Sequence, residues 1–257
     1  MTDQTQDVKM PISYHLEELR KRLLRIIIVV GIGFCACYYF KDPLFTILTR
    51  PLTQVMPKEG SMIFTNLTEA FFTYMMIAFF ASLVLTSPYT LYQVWKFISP
   101  GLFPAEKKVA VPFIISSTLL FVGGVLFGYF VVLPPAFSFF LSFSTDFLKP
   151  MLSFREYLSL SLKFLLGFGL SFELPVFIFF LAKLGIVNAQ LLSSKRRYAI
   201  LLIFIIAAIL TPSPDAVSQI LMALPLLVLY EISIVVAKFA GKKQTVEESP
   251  TGGEKES

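Results

Sequence analysis

Three long intervals of this chain carry no charged side chain: between Glu69 and Lys96, between Lys108 and Asp146, and between Arg197 and Asp215. About 20 successive apolar residues span the hydrocarbon core of a bilayer, so such intervals read as transmembrane helices. Composition agrees. Hydrophobic residues make up 56% of the chain and charged ones 15%, against about 25% charged in an ordinary soluble domain. The expected fold class is an all-α, polytopic integral membrane protein.

Six spans are expected, at Leu23–Phe40, Ala70–Ile98, Val109–Leu133, Leu158–Ala182, Tyr198–Leu210 and Ala216–Val236. The chain then divides into an N-terminal amphipathic segment (1–22), a six-span domain (23–238) and a polar tail (239–257) whose composition predicts disorder. The N-terminus, the loops near 96–108 and 183–197, and the C-terminal end together hold 16 basic residues, against 5 on the other side. Lys and Arg concentrate on the cytoplasmic side, so both termini are expected there. The first 22 residues are too polar for a cleavable signal peptide, which makes the first hydrophobic segment a retained span.

The last two spans are expected to be short. Thirteen residues from Tyr198 to Leu210 reach roughly 20 Å, well under a core of about 30 Å, so the bilayer is expected to thin around this hairpin. Of the two outer segments, 41–69 is apolar enough to lie against the membrane. Residues 134–157, opening on Pro134-Pro135 and running through AFSFFLSF, read as an interfacial helix.

Catalysis has little to stand on. Asp42, Asp146 and Asp215 fall at span ends, so no pair of membrane-embedded aspartates can share a proton. The only histidine, His15, lies before the first span, away from any serine nucleophile in the membrane. No phosphate-binding glycine loop occurs. Cys35 and Cys37, two apart, read as small core residues on different helix faces. No His, Cys and carboxylate cluster has metal-ligand spacing. The chain is read as non-enzymatic, without cofactor or metal.

Three stretches could carry function. In ISYHLEELRKRL, Ile12, Leu16, Leu19 and Leu23 form an apolar stripe opposite the charges, the pattern of an amphipathic surface helix. Glu17–Lys21 and Glu18–Arg22 are i,i+4 pairs that suit a merely solvated helix equally well. In KFISPGLFPAEKKVAVP, Glu106 is the only acid. Held in a Pro-rich loop beside Phe97 and Phe103, it could grip a guanidinium through paired hydrogen bonds, or be neutralised by Lys107 or Lys108.

The third stretch, LLGFGLSFELPVFIFFLA (165–182), carries one carboxylate, Glu173, inside an apolar span. Charge in that setting costs a few kcal/mol and marks a functional site by default. Pro175 frees the Ser171 carbonyl and predicts a kink, while Gly167 and Gly169 permit close helix approach. Glu173 is therefore expected to face a groove rather than lipid. It either keeps a hydrated notch open at the midplane or, as a neutral acid, hydrogen-bonds another helix.

HLEELRKRL before the first span, VWKFISPGLFPAEKK, FVVLP, FGLSFELP and TPSPDAVSQ occur in this order between about residues 12 and 240. Together they resemble the TatC family of the twin-arginine translocase. The resemblance implies a glove-shaped six-span receptor in the bacterial cytoplasmic (inner) membrane. Such a receptor binds the twin-arginine signal peptides of folded precursor proteins and organises single-span TatA/TatB-type subunits. Transport is driven by the proton-motive force. Other implied partners are the lipid bilayer and further copies of the chain, and nucleic acid is not among them. Glu106 and Glu18 would meet the arginines, with Arg20 and Phe97 beside them. Pro51 would sit in the first outer loop and Glu173 on the concave intramembrane face. Thr211, Asp215 and Gln219 would lie at the outer hairpin, near partner helices. The alternative is a proton-coupled small-molecule secondary transporter using Glu173, but the duplicated halves many such transporters show are missing.

Overall fold

A computed structural model of the chain describes residues 12–56, 61–64, 66–98, 110–143, 151–211 and 216–240. α1 (Ile12–Tyr39) carries the amphipathic segment into the first span without a break. α2 (Lys41–Val55) follows, and α3 (Glu69–Ile98) matches the second span. α4 (Ala110–Phe127), a π-helical turn (Gly128–Val132) and α5 (Leu133–Leu141) run on as one stretch. The interfacial helix expected from Pro134 is thus largely the continuation of the third span. Two successive prolines withhold two backbone donors. The wider π turn bridges them, with Leu133 N–H donating to the Gly128 carbonyl five residues back.

The fourth span is bent where Pro175 predicts: α6 (Phe154–Ser171) stops, and α7 (Leu174–Lys183) restarts with the proline in its first turn. A proline there costs nothing, because first-turn N–H groups have no helical acceptor. A short α8 (Ala189–Ser194) precedes α9 (Arg196–Leu210) and α10 (Ala216–Ala240). Five helical stretches among the described residues are long and apolar enough to cross a membrane; α9, with 15 residues, is the short sixth segment. Only α9 of the last two is short, since α10 runs for 25 residues to Ala240. The reason is local: the apolar pattern continues past Val236 through Ala237, Phe239 and Ala240 around a single Lys238.

α1 packs on α3; α3 also contacts α2, α4 and α6; α4 lies on α6; α10 packs on α7 and α9. Close packing rather than solvent exclusion holds helices together in lipid, so small residues mark the crossings. A Cβ on Gly124 would lie 2.5 Å from the Phe168 carbonyl oxygen, so only glycine lets α4 approach α6 there. On Gly169 it would meet Phe121 and Val125 of α4 at 3.0 Å, and on Gly167 it would meet Leu210 at 3.0 Å and Met222 at 3.2 Å. The end of α9 therefore meets α6 in its last third, four residues before Ser171.

At the end opposite the start of α1, β1 (Ser61–Ile63) pairs in parallel with β2 (Met151–Ser153). Glu69, 3% exposed, fastens this end. Its Oε1 accepts from Ser153 Oγ (3.1 Å) and Arg155 N–H (3.0 Å), and its Oε2 from Asn66 N–H (3.2 Å). An acid in the first turn of α3 also suits that helix's positive end.

Candidate functional site

The start of α1 lies against the end of α3. Arg22 is 7% exposed, although it belongs to the charged flank of α1. Its guanidinium pairs with Glu18 one turn earlier and donates to the Gln93 carbonyl of α3 at 3.2 Å. Four residues beyond Gln93, Phe97 stacks on His15 with ring centroids 4.3 Å apart. Arg20 is exposed. Glu17, Glu18, Lys21, Arg22, Arg25 and Lys96 line a hollow of about 220 Å³. The arrangement is an acidic side chain held by a buried cation next to an aromatic pair, at the root of the loop that carries Glu106. Glu106 itself lies outside the described residues, so Glu18, Arg20 and Phe97 are the members placed here. Arg22 and Gln93 complete the setting; the i,i+4 spacing pointed to the Arg22 pair but not to its burial.

Deeper in the bundle, Glu173 sits at the break between α6 and α7 without capping α7. Its side chain turns to α4, where Oε2 accepts from the Ser117 hydroxyl. Ser117, fully buried, in turn accepts from Trp95 Nε1–H of α3 at 3.1 Å. Oε1 is buried and has no hydrogen-bond partner among the described residues. A hydrogen bond from Glu173 to another helix is thus present. Trp95 packs edge-on against Phe113 and Phe180, at 4.7 and 5.3 Å between centroids. Sequence reasoning missed Ser117 and Trp95; the signal available was a serine inside an apolar span and the only tryptophan of the chain.

The other expected residues lie apart from these two groups. Pro51 is buried within α2. Having no N–H, it leaves the Ile47 carbonyl open, and Tyr129 of the π turn donates to that carbonyl at 2.6 Å. Thr211 caps α9, its hydroxyl donating to the Ala207 carbonyl at 2.9 Å. The Gln219 carboxamide donates to the Phe204 carbonyl at 3.0 Å, so its N–H has a partner inside the hairpin without help from another chain. Asp215 lies outside the described residues. Among those described, no group of His, Cys, Asp and Glu could hold a metal ion.

The family described as Sec-independent protein translocase protein (TatC) matches residues 14–225. A Sec-independent protein translocase protein TatC from Desulforapulum autotrophicum is 47% identical over 243 residues, covering 95% of this chain and 90% of that one. The protein of the same description from Escherichia coli K12 is 39% identical over 239 residues, covering 93% and 92%. A crystal structure described as twin arginine translocase receptor TatC is 41% identical, with a TM-score of 0.80, and the match covers 88% of this chain and 99% of that one.

Proposed function

The chain belongs to the TatC family, and on that premise we propose that it is the receptor and core subunit of a Sec-independent protein export machine. The protein is a multi-pass membrane protein and a translocase component. Its task is binding and organisation rather than catalysis. The start of α1 and the end of α3 face the cytoplasm, an orientation that the basic bias of the loops supports, in the cytoplasmic (inner) membrane of a bacterium.

There the receptor takes the paired arginines of a signal peptide. Glu18 and Glu106 supply the carboxylates, and Phe97 lines the approach. The observation that carries this reading is Glu18 held in place by Arg22, which is itself anchored on the Gln93 carbonyl. A carboxylate fixed in this way loses little freedom when it binds, and a planar guanidinium is the cation that matches it through two hydrogen bonds. Single-span subunits dock at the hairpin of α9 and α10, beside Thr211 at the end of the short α9, with Asp215 in the connection that follows it in sequence. Glu173 serves the inserted stage, when the hydrophobic run of the peptide passes between the helices. The relatives offer no support for a small-molecule transporter.

Photocrosslinking tests the assignment. Peptides carrying RR or KK before a hydrophobic run, with a photoreactive group beside the pair, are added to the full chain in membranes. RR peptides are expected to label the start of α1 and the end of α3, and KK peptides to label them weakly. Equal labelling by both would overturn the arginine-receptor reading.

A further inference from the structure

Trp95, Ser117 and Glu173 come from three helices and meet in one chain of hydrogen bonds. Its direction is set by chemistry. An indole N–H can only donate, so Ser117 must use a lone pair towards Trp95. The single hydroxyl proton is then left for Glu173 Oε2. Ser117 is 0% and Trp95 8% exposed, so water does not compete for either bond. The result is a carboxyl group with one oxygen occupied from behind and the other, Oε1, buried and unpaired. Several buried side-chain atoms lack a partner among the described residues, but Glu173 Oε1 is the one carboxylate oxygen in that group, and a carboxyl group is the costliest of them to leave unpaired.

We propose that Ser117 and Trp95 are positioning residues that hold Glu173 with Oε1 kept free to receive a hydrogen-bond donor from the inserted signal peptide. This rests on the export reading above and adds the machinery behind its intramembrane carboxylate. The bend at Pro175 lets the arrangement form. It interrupts the helix at Phe172–Glu173, where a continuous helix would commit Glu173 to its own face. Trp95 belongs to the same last turns of α3 that bear Gln93 and Phe97. The support of Glu173 is thus built on the element that carries part of the peptide-docking end.

The test uses the full chain in membranes with its partner subunits. Ser117→Ala removes the acceptor of Trp95 and the donor to Glu173 together. Export is expected to fall about fivefold, the scale of one buried hydrogen bond. RR-peptide affinity should stay within about twofold, because the docking end is untouched. As the chain has one tryptophan, its emission reports the relay directly, and Ser117→Ala should shift it. Glu173→Gln keeps an acceptor for Ser117 but sets an NH2 group at the free position; it should lose export and leave the emission unchanged. Adding Ser117→Ala to Glu173→Gln should cost nothing more.

Wild-type export by Ser117→Ala, or a further loss in the double variant, would overturn the proposal. If Ser117→Ala fails to accumulate, Trp95→Phe decides, since it keeps a packing ring and deletes only the N–H; undiminished export would then overturn it. A wild-type chain that does not bind RR peptides would instead sink the export reading.

Discussion

Glu69→Gln changes one atom of the buried cap that joins the start of α3 to β2 and α6. In the wild type, at least three donors among the described residues converge on the carboxylate: Ser153 Oγ and Arg155 N–H on Oε1, and Asn66 N–H on Oε2. A carboxamide cannot accept from all three. With its NH2 towards Asn66 it loses one bond; turned the other way it loses two. The first orientation wins, and the two surviving bonds lose their charge. Hydrogen bonds to charged groups contribute about 1.5–3 kcal/mol each, so the variant should lose about 2–3 kcal/mol. For a chain of this size that is a fall in Tm of roughly 4–12 °C. The assay is thermal unfolding of the purified chain in detergent micelles, followed by helical circular dichroism. Glu156→Gln, an exposed acid in the first turn of α6, is the control and should shift Tm by no more than about 2 °C. RR-peptide affinity, measured below the transition, should match wild type, since the cap lies at the far end. A Glu69→Gln chain that melts with the control would refute the cap.

Three further outcomes follow from the same contacts. Glu173→Leu strands the buried Ser117 hydroxyl at a cost of about 1–3 kcal/mol, so the Leu variant should melt earlier than wild type and the Gln variant should not; equal melting of all three would contradict the observed bond. Gln219→Leu removes the bond to the Phe204 carbonyl and should loosen the α9–α10 hairpin, reducing site-specific crosslinks to single-span partners; unchanged crosslinks would remove Gln219 from the docking surface. A cysteine placed by Ser249→Cys, in a background without Cys35 and Cys37, should resist an impermeant thiol reagent in intact cells, and labelling there would refute the cytoplasmic C-terminus.

What the sequence made legible was local. Charge-free intervals located the helices, Pro175 located the bend, and Gly167 and Gly169 marked close helix approaches. Cys35 and Cys37 do lie on different helix faces, but only Cys37 is a core residue; Cys35 is exposed, because its face of α1 is not covered by another helix, which corrects the reading of both as core residues. What stayed hidden joins residues far apart in the chain. Arg22 reaches Gln93 across 71 residues, Ser117 reaches Glu173 across 56, and Ser153 reaches Glu69 across 84. Helical periodicity gives the polar flank of α1, but which part of that flank is covered depends on how α3 crosses it. Glu69 could be read as the border of a span, because its partners come from a strand and a helix start that no local pattern links to it. The π turn was hidden for another reason: paired prolines usually end a helix, and here a wider turn carries it on.

The central claim is that Glu18, held by Arg22, reads paired arginines together with Glu106. The measurement is the dissociation constant of RR and KK signal peptides for the full chain, wild type and with Glu18→Gln and Glu106→Gln together, at one ionic strength. Guanidinium and carboxylate match in plane and in two bonds where an ammonium offers a point charge, so RR should bind the wild type more tightly than KK. Loss of both carboxylates should weaken RR binding by about 10-fold or more and erase the preference. RR affinity that is equal for the wild type and the double variant would contradict the account.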